Sequence, residues 1–271
     1  MKLAIAGLLL VVFAARADAQ GAPAASPPAS AKAPEQQNAD KAKALLDQMV
    51  NALGGNAYLN IEGISQEGRS YSFHNGQPNG VGVVFWRFYR YPDKERIELT
   101  KKRDWVIIHD GDKGYEVTFK GVGTEDPVQA ADYQRRREYA LDWVIRHWLT
   151  SPGVSFFYEG QTVAAQKPAQ QVTIMDAQNR AVTLYIDSAT YLPVKKTYSW
   201  RDPKDKQRNI EDEVYDNYRM VQGINTPLSV TRFYNGDMAS QRFLSTVSYE
   251  DLSDSLFNPA TKSADKDAPR K

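Results

Sequence analysis

Between Ile61 and Tyr249 the chain is cut into short runs of alternating apolar and polar residues, and many of the connections are too short for parallel crossovers. Arg96-Ile97-Glu98-Leu99-Thr100 and Tyr115-Glu116-Val117-Thr118-Phe119 alternate with period two, and Val83 to Tyr91 is almost continuously β-branched and aromatic. Asn75-Gly76, Asn79-Gly80, Pro92-Asp93 and Asn235-Gly236 supply turn chemistry, and Asp110-Gly111-Asp112-Lys113-Gly114 reads as a hairpin turn, not a calcium loop. After an interruption the strand signal resumes at Val154 to Tyr158 and continues to Phe243 to Tyr249. About 11 neighbouring antiparallel strands follow, and a sheet of that many curls. The fold class is mainly β (α+β), with the concave face of the sheet covered by helices.

Two helical segments supply the cover. The first has Asp40 as candidate cap, with Leu45, Leu46, Met49 and Leu53 recurring at helical spacing until Gly54-Gly55. The second opens with Asp126 as cap and Pro127 at its first position, and runs to Ser151-Pro152-Gly153. Leu141, Ile145 and Trp148 share one of its faces.

The ends read differently. Lys2, the apolar run Leu3 to Phe13 and Ala17-Asp18-Ala19 fit a secretory signal peptide over 1–19, cut before Gln20. An apolar run of about 11 residues covers about half of a bilayer core, so it is not a membrane anchor. Residues 20–37, rich in Ala and Pro, are expected to be a flexible linker, 38–257 a single domain and 258–271 a disordered tail. The expected location is the periplasm, with the mature chain soluble.

Composition closes off several classes of function. With no cysteine there is no disulfide, thiolate metal site or cysteine nucleophile. Thirty-four Lys and Arg against 33 Asp and Glu give no bulk reason to bind nucleic acid. His74, His109 and His147 have no metal-ligand spacing, and neither a Gly-x-Ser-x-Gly elbow nor a phosphate-cradling glycine pattern occurs. No catalytic residue, metal or cofactor is expected, so the chain is not read as an enzyme. Arg135-Arg136-Arg137 and Glu211-Asp212-Glu213 are read as solvated charge.

The order of motifs is more specific than any one of them. The leading helix ending in Leu53-Gly54-Gly55, then Ile61-Glu62-Gly63, Tyr91-Pro92-Asp93-Lys94-Glu95-Arg96-Ile97-Glu98 and Ile108-His109-Asp110-Gly111-Asp112-Lys113-Gly114-Tyr115 resemble the LolA/LolB-like superfamily of periplasmic lipoprotein carriers. Tyr185-Ile186-Asp187-Ser188-Ala189-Thr190-Tyr191-Leu192-Pro193, and Tyr215-Asp216-Asn217-Tyr218-Arg219 with Gly223-Ile224-Asn225-Thr226-Pro227, are similar to its outer-membrane lipoprotein-sorting-like members. Tyr91 stands where the carriers have an arginine, with Arg90 one place earlier.

The resemblance implies a curved, incomplete antiparallel β-barrel around a hydrophobic cavity that shelters acyl chains of a lipid or lipoprotein. It also implies an inner-membrane donor and an outer-membrane acceptor. A monomer is expected. The wall of the cavity is assigned to Trp86, Phe88, Ile97 and Leu99, and its cover to Leu141, Ile145 and Trp148. The alternative is a β-rich envelope interaction or scaffold module whose interior is filled.

Overall fold

The structure, a computed structural model, describes residues 33–261. The signal peptide expected over 1–19, residues 20–32 of the linker and 262–271 of the tail lie outside the described residues. The first helix, α1 (Pro34–Leu53), starts at Pro34 and not beside Asp40. Pro34 has the φ of a first helical residue and needs no N–H partner there. Residues 34–37, expected as linker, are therefore helical, and Asp40 lies inside α1, accepting a hydrogen bond from Gln36 Nε2 at 2.8 Å. Leu45, Leu46, Met49 and Leu53 form the buried stripe. A short helix, α2 (Asn56–Leu59), follows.

Fourteen strands form one antiparallel sheet, against the 11 or so read from the sequence. The first group is β1 (Gly63–His74), β2 (Gln77–Pro78), β3 (Val83–Arg90), β4 (Lys94–Leu99), β5 (Trp105–Asp110), β6 (Lys113–Thr118) and β7 (Gly121–Thr124). The second is β8 (Ser155–Ala164), β9 (Lys167–Met175), β10 (Ala181–Asp187), β11 (Pro193–Arg201), β12 (Arg208–Val221), β13 (Ile224–Tyr234) and β14 (Asp237–Tyr249). Each group is a meander, and one long-range pairing, β1 with β14, joins them. The outer strands β7 and β8 are not paired to each other, so the curl stops short of a barrel. Asp110↔Lys113 and Tyr234↔Asp237 close the expected hairpins, the second with Asn235 and Gly236 at φ 50° and 90°.

The link from β7 to β8 carries α3 (Pro127–Glu138) and α4 (Leu141–Trp143), which runs on into a π-helical turn, Val144–Trp148. Asp126 caps α3 as expected, accepting from the backbone N–H of Val128 and Gln129 at 2.9 and 3.1 Å. One helix was expected from Pro127 to Ser151, but the chain breaks after Glu138. The Tyr139 ring stacks on Tyr198 at 4.2 Å, and its carbonyl accepts from buried Lys196 Nζ at 2.6 Å, which holds that peptide out of the helical ladder.

The main core joins the stripe of α1 and the π-turn residues Val144, Ile145 and Trp148 to Val172, Ile174, Val182, Leu184 and Ile186 of β9 and β10. A smaller core on the convex face gathers Val106, Ile108, Leu252 and Phe257 under the 3₁₀ turn Asp254–Phe257.

Candidate functional site

Antiparallel partners lie on the same side of a sheet, so the register decides which side chains face the interior. Arg87 is opposite Gln66 and Ile97, Tyr89 is opposite Ile64 and Glu95, and Glu95 is opposite His109. These residues face the concave side, beneath the helices. Trp86 is opposite Glu98 and Phe88 is opposite Arg96. That set faces outward: Phe88 packs against the convex core, and Trp86 lies under the Arg103 guanidinium at 4.0 Å.

The expected wall therefore divides. Ile97 reaches the interior space, and Leu99, opposite Phe85 and Trp105, shares its face. Trp86 and Phe88 stand behind the sheet, one residue out of phase. The assignment of all four to one wall is corrected on this point, because either face of β3 is apolar enough to be buried. Of the expected cover, Leu141 touches the interior space, whereas Ile145 and Trp148 are 2% and 3% exposed inside the filled core.

Two adjoining cavities occupy the concave side, of about 210 and 510 Å³. They share Arg87, Tyr89, Asp142, Glu213, Val230 and Arg242. The smaller is lined largely by apolar and aromatic groups, among them Ile64, Tyr91, Leu141, Tyr218 and Leu244. Arg146 spreads its guanidinium over the Tyr91 ring at 3.8 Å and donates to the carbonyls of Tyr58 and Ile61, each at 2.8 Å. Arg90 points elsewhere and pairs with Asp254 at 2.8 Å.

The larger cavity is charged, unlike the hydrophobic pocket expected. Its roof is α3, where Gln129, Asp132, Tyr133, Arg136 and Arg137 recur at helical spacing and face inward. The helix lacks an apolar stripe because the floor beneath it is polar. Arg136 and Arg137 thus line a cavity, and Arg135 lies over the Trp200 ring at 3.6 Å and pairs with Glu211 at 3.2 Å. Glu211 and Glu213 belong to β12, where Glu211 is buried. Both triplets read as solvated charge are corrected here.

A network of buried polar groups sits at one end. Arg87 Nε donates to Glu95 at 2.5 Å, and the His109 ring lies between Glu125 at 2.9 Å and Glu95 at 3.6 Å. Tyr133 stacks on His109 with centroids 3.4 Å apart. Burial alone would disfavour the Glu95 carboxylate, but Arg87 and His109 hold its pKa at about 2. The Glu213 carboxyl is held at about 2 against burial by Lys196 at 2.8 Å and the Tyr215 hydroxyl at 2.7 Å. Among the described residues no group of three His, Asp or Glu side chains is placed to hold a metal ion.

Sequence reasoning missed Arg87, Glu95, His109, Glu125, Arg232 and Arg242. The signal available was a single charge breaking an otherwise apolar strand face, as Arg87 does between Phe85 and Tyr89. Among the described residues no helix is long and apolar enough to cross a membrane.

No protein-family model matches the chain, and no curated protein matches it. Solved structures do. A DUF1329 family protein from Desulfovibrio piger superposes with a TM-score of 0.56 at 12% identity, covering 80% of this chain and 97% of the other. A LolA superfamily protein from Nitrosomonas europaea gives 0.52 at 10% identity over 80% and 97%. An outer membrane lipoprotein-sorting protein domain from Vibrio parahaemolyticus gives 0.52 at 11% identity over 82% and 97%. The chain has the LolA-like fold, as the order of its motifs implied.

Proposed function

We propose that this protein is a non-catalytic periplasmic carrier that shelters the acyl part of a lipid or lipoprotein between its curved sheet and its helices, receiving it from an inner-membrane donor and passing it to an outer-membrane acceptor. One observation carries the reading: the concave side of a LolA-like sheet keeps a largely apolar and aromatic cavity beside a larger charged one, with Arg87, Asp142, Glu213 and Arg242 lining both. An amphipathic molecule matches that pairing. The larger space lies within the roughly 300–1,000 Å³ typical of small-ligand sites, and the smaller space suits the end of a chain, not a whole lipid. The similarity to a lipoprotein-sorting domain points the same way.

Native mass spectrometry of chain purified from a bacterial host, followed by titration with fluorescent fatty acids of increasing length, tests the carrier. A co-purified lipid mass is expected. Each added CH₂ should tighten binding about fourfold until the apolar cavity is full, since sheltering one contributes about 0.8 kcal/mol. Leu141→Asp should weaken the same probes at least tenfold. An empty chain that excludes every probe would overturn the carrier and favour the second reading, a scaffold module. That reading has its own support in Ile145 and Trp148, which fill the interior beside α1.

A further inference from the structure

Arg232 on β13 and Arg242 on β14 face the larger cavity from neighbouring strands, with Val230 opposite Arg242 in the ladder. Neither side chain makes a hydrogen bond or an ion pair among the described residues, and Arg232 Nε is buried without a partner. Arg87 and Arg136 line the same space. The arginines oppose one another's charge: burial and then Arg87 depress Arg242 against the opposing pull of Glu213 and Glu95, and burial and then Arg232 depress Arg136 against Glu211. Guanidinium groups stay charged at any ordinary pH, so a cluster of them that is half-buried around one cavity favours a bound anion.

The cavity holds five carboxylates, and none pairs with Arg232 or Arg242. Glu95 pairs with Arg87, Glu125 with His109, and Asp132 with Arg135 and Arg136. Asp142 acts electrostatically on the Tyr91 hydroxyl, whose pKa it helps to raise after burial itself. Glu213 lies opposite Arg232 in the ladder, yet its carboxylate is taken by Lys196 and Tyr215. Arg137 has no carboxylate either but donates to the Gly111 carbonyl at 3.2 Å, which leaves Arg232 and Arg242, on neighbouring strands beside the smaller cavity, without any hydrogen-bonding partner among the described residues.

We propose that Arg232 and Arg242 form an oxyanion site, which binds a phosphate or carboxylate group through the two guanidinium forks. In an amphiphile held as proposed above, the anionic head would sit on this pair and the chain would enter the neighbouring apolar cavity; to that extent the proposal rests on the carrier reading. Arginine suits the role because its planar fork matches the geometry of phosphate and carboxylate oxygens.

Calorimetric titration of the full chain with dodecyl phosphate, dodecyl maltoside and inorganic phosphate separates the possibilities. Dodecyl phosphate is expected to bind at least tenfold more tightly than dodecyl maltoside. Arg242→Gln and Arg232→Gln should each remove that preference, and Arg242→Lys should restore part of it. The unliganded Gln variants should keep or raise the wild-type Tm, because each removes an unpaired like charge, so a lost preference in a stable variant is not a folding defect. Inorganic phosphate binding as tightly as dodecyl phosphate, and lost in the same variants, would support the oxyanion site with a free anion as its source and count against the carrier. Equal affinity for the phosphate and maltoside detergents, unchanged in the variants, would overturn the oxyanion site and leave the carrier standing. No binding of any of the three would overturn both.

Discussion

Gly114 is bare because Glu125 lies against it. A Cβ there would meet Glu125 Oε2 at 2.3 Å and Glu125 Cβ at 3.0 Å, so the carboxylate could not keep its 2.9 Å contact with His109. Gly114→Ala should cost about 1–2 kcal/mol, the scale of a lost buried hydrogen bond, measured by urea unfolding. A neighbouring effect depends on pH. The Glu95 pKa falls from an ordinary 4.5 unfolded to about 2 folded. Its carboxylate therefore adds stability above pH 4.5, and that contribution drains away as pH falls toward 2. Full loss is worth roughly 3 kcal/mol, so Tm should drop across that window in the wild type and less steeply in Glu95→Gln, where the Glu213 carboxyl still titrates over the same range. The sequence placed His109 at a strand end and Gly114 in a turn, but nothing local reveals that Glu125 returns to join them.

Among the elements, those governed by nearby residues were readable. Asp126 caps α3 and Pro127 starts it because the partners lie within one turn. The break at Tyr139 was not readable, since the group that takes its carbonyl, Lys196, is far along the chain on β11. Strand facing was ambiguous for a different reason. On β3, Trp86 and Phe88 look as fit for an interior as Phe85 and Tyr89, and only pairing with β4 breaks the tie. Trp86→Ala should consequently leave acyl-probe affinity within twofold of wild type while lowering Tm, because the ring supports the convex side with Arg103. Tyr89→Ala, at the junction of both cavities, should weaken the probes at least fivefold. Equal loss in both variants would contradict the facing read from the register.

Across the whole molecule, the pairing of β1 with β14 joins two meanders whose strands are otherwise paired within each group. The order of motifs made the fold class and the LolA-like resemblance readable, but this long-range pairing has no local mark beyond a glycine. At the bulge between Glu67 and Gly68 the strands press so close that a Cβ on Gly68 would meet the Phe243 carbonyl oxygen at 2.2 Å. Gly68→Ala must push backbone aside and should cost about 2 kcal/mol, read as a lower urea midpoint at unchanged slope.

The unpaired outer strands have a mechanical meaning. A closed barrel resists a bulky guest like a hoop, since widening it tears a ladder of hydrogen bonds, whereas this sheet has the open outline of a spring clip. Its two lips, β7 and β8, can part while every strand keeps the neighbours it has, at the expense of contacts made by the helical strap that runs from one lip to the other. No closed ladder of hydrogen bonds fixes the girth of the interior, and the helical strap is the part of the chain that spans from one lip to the other.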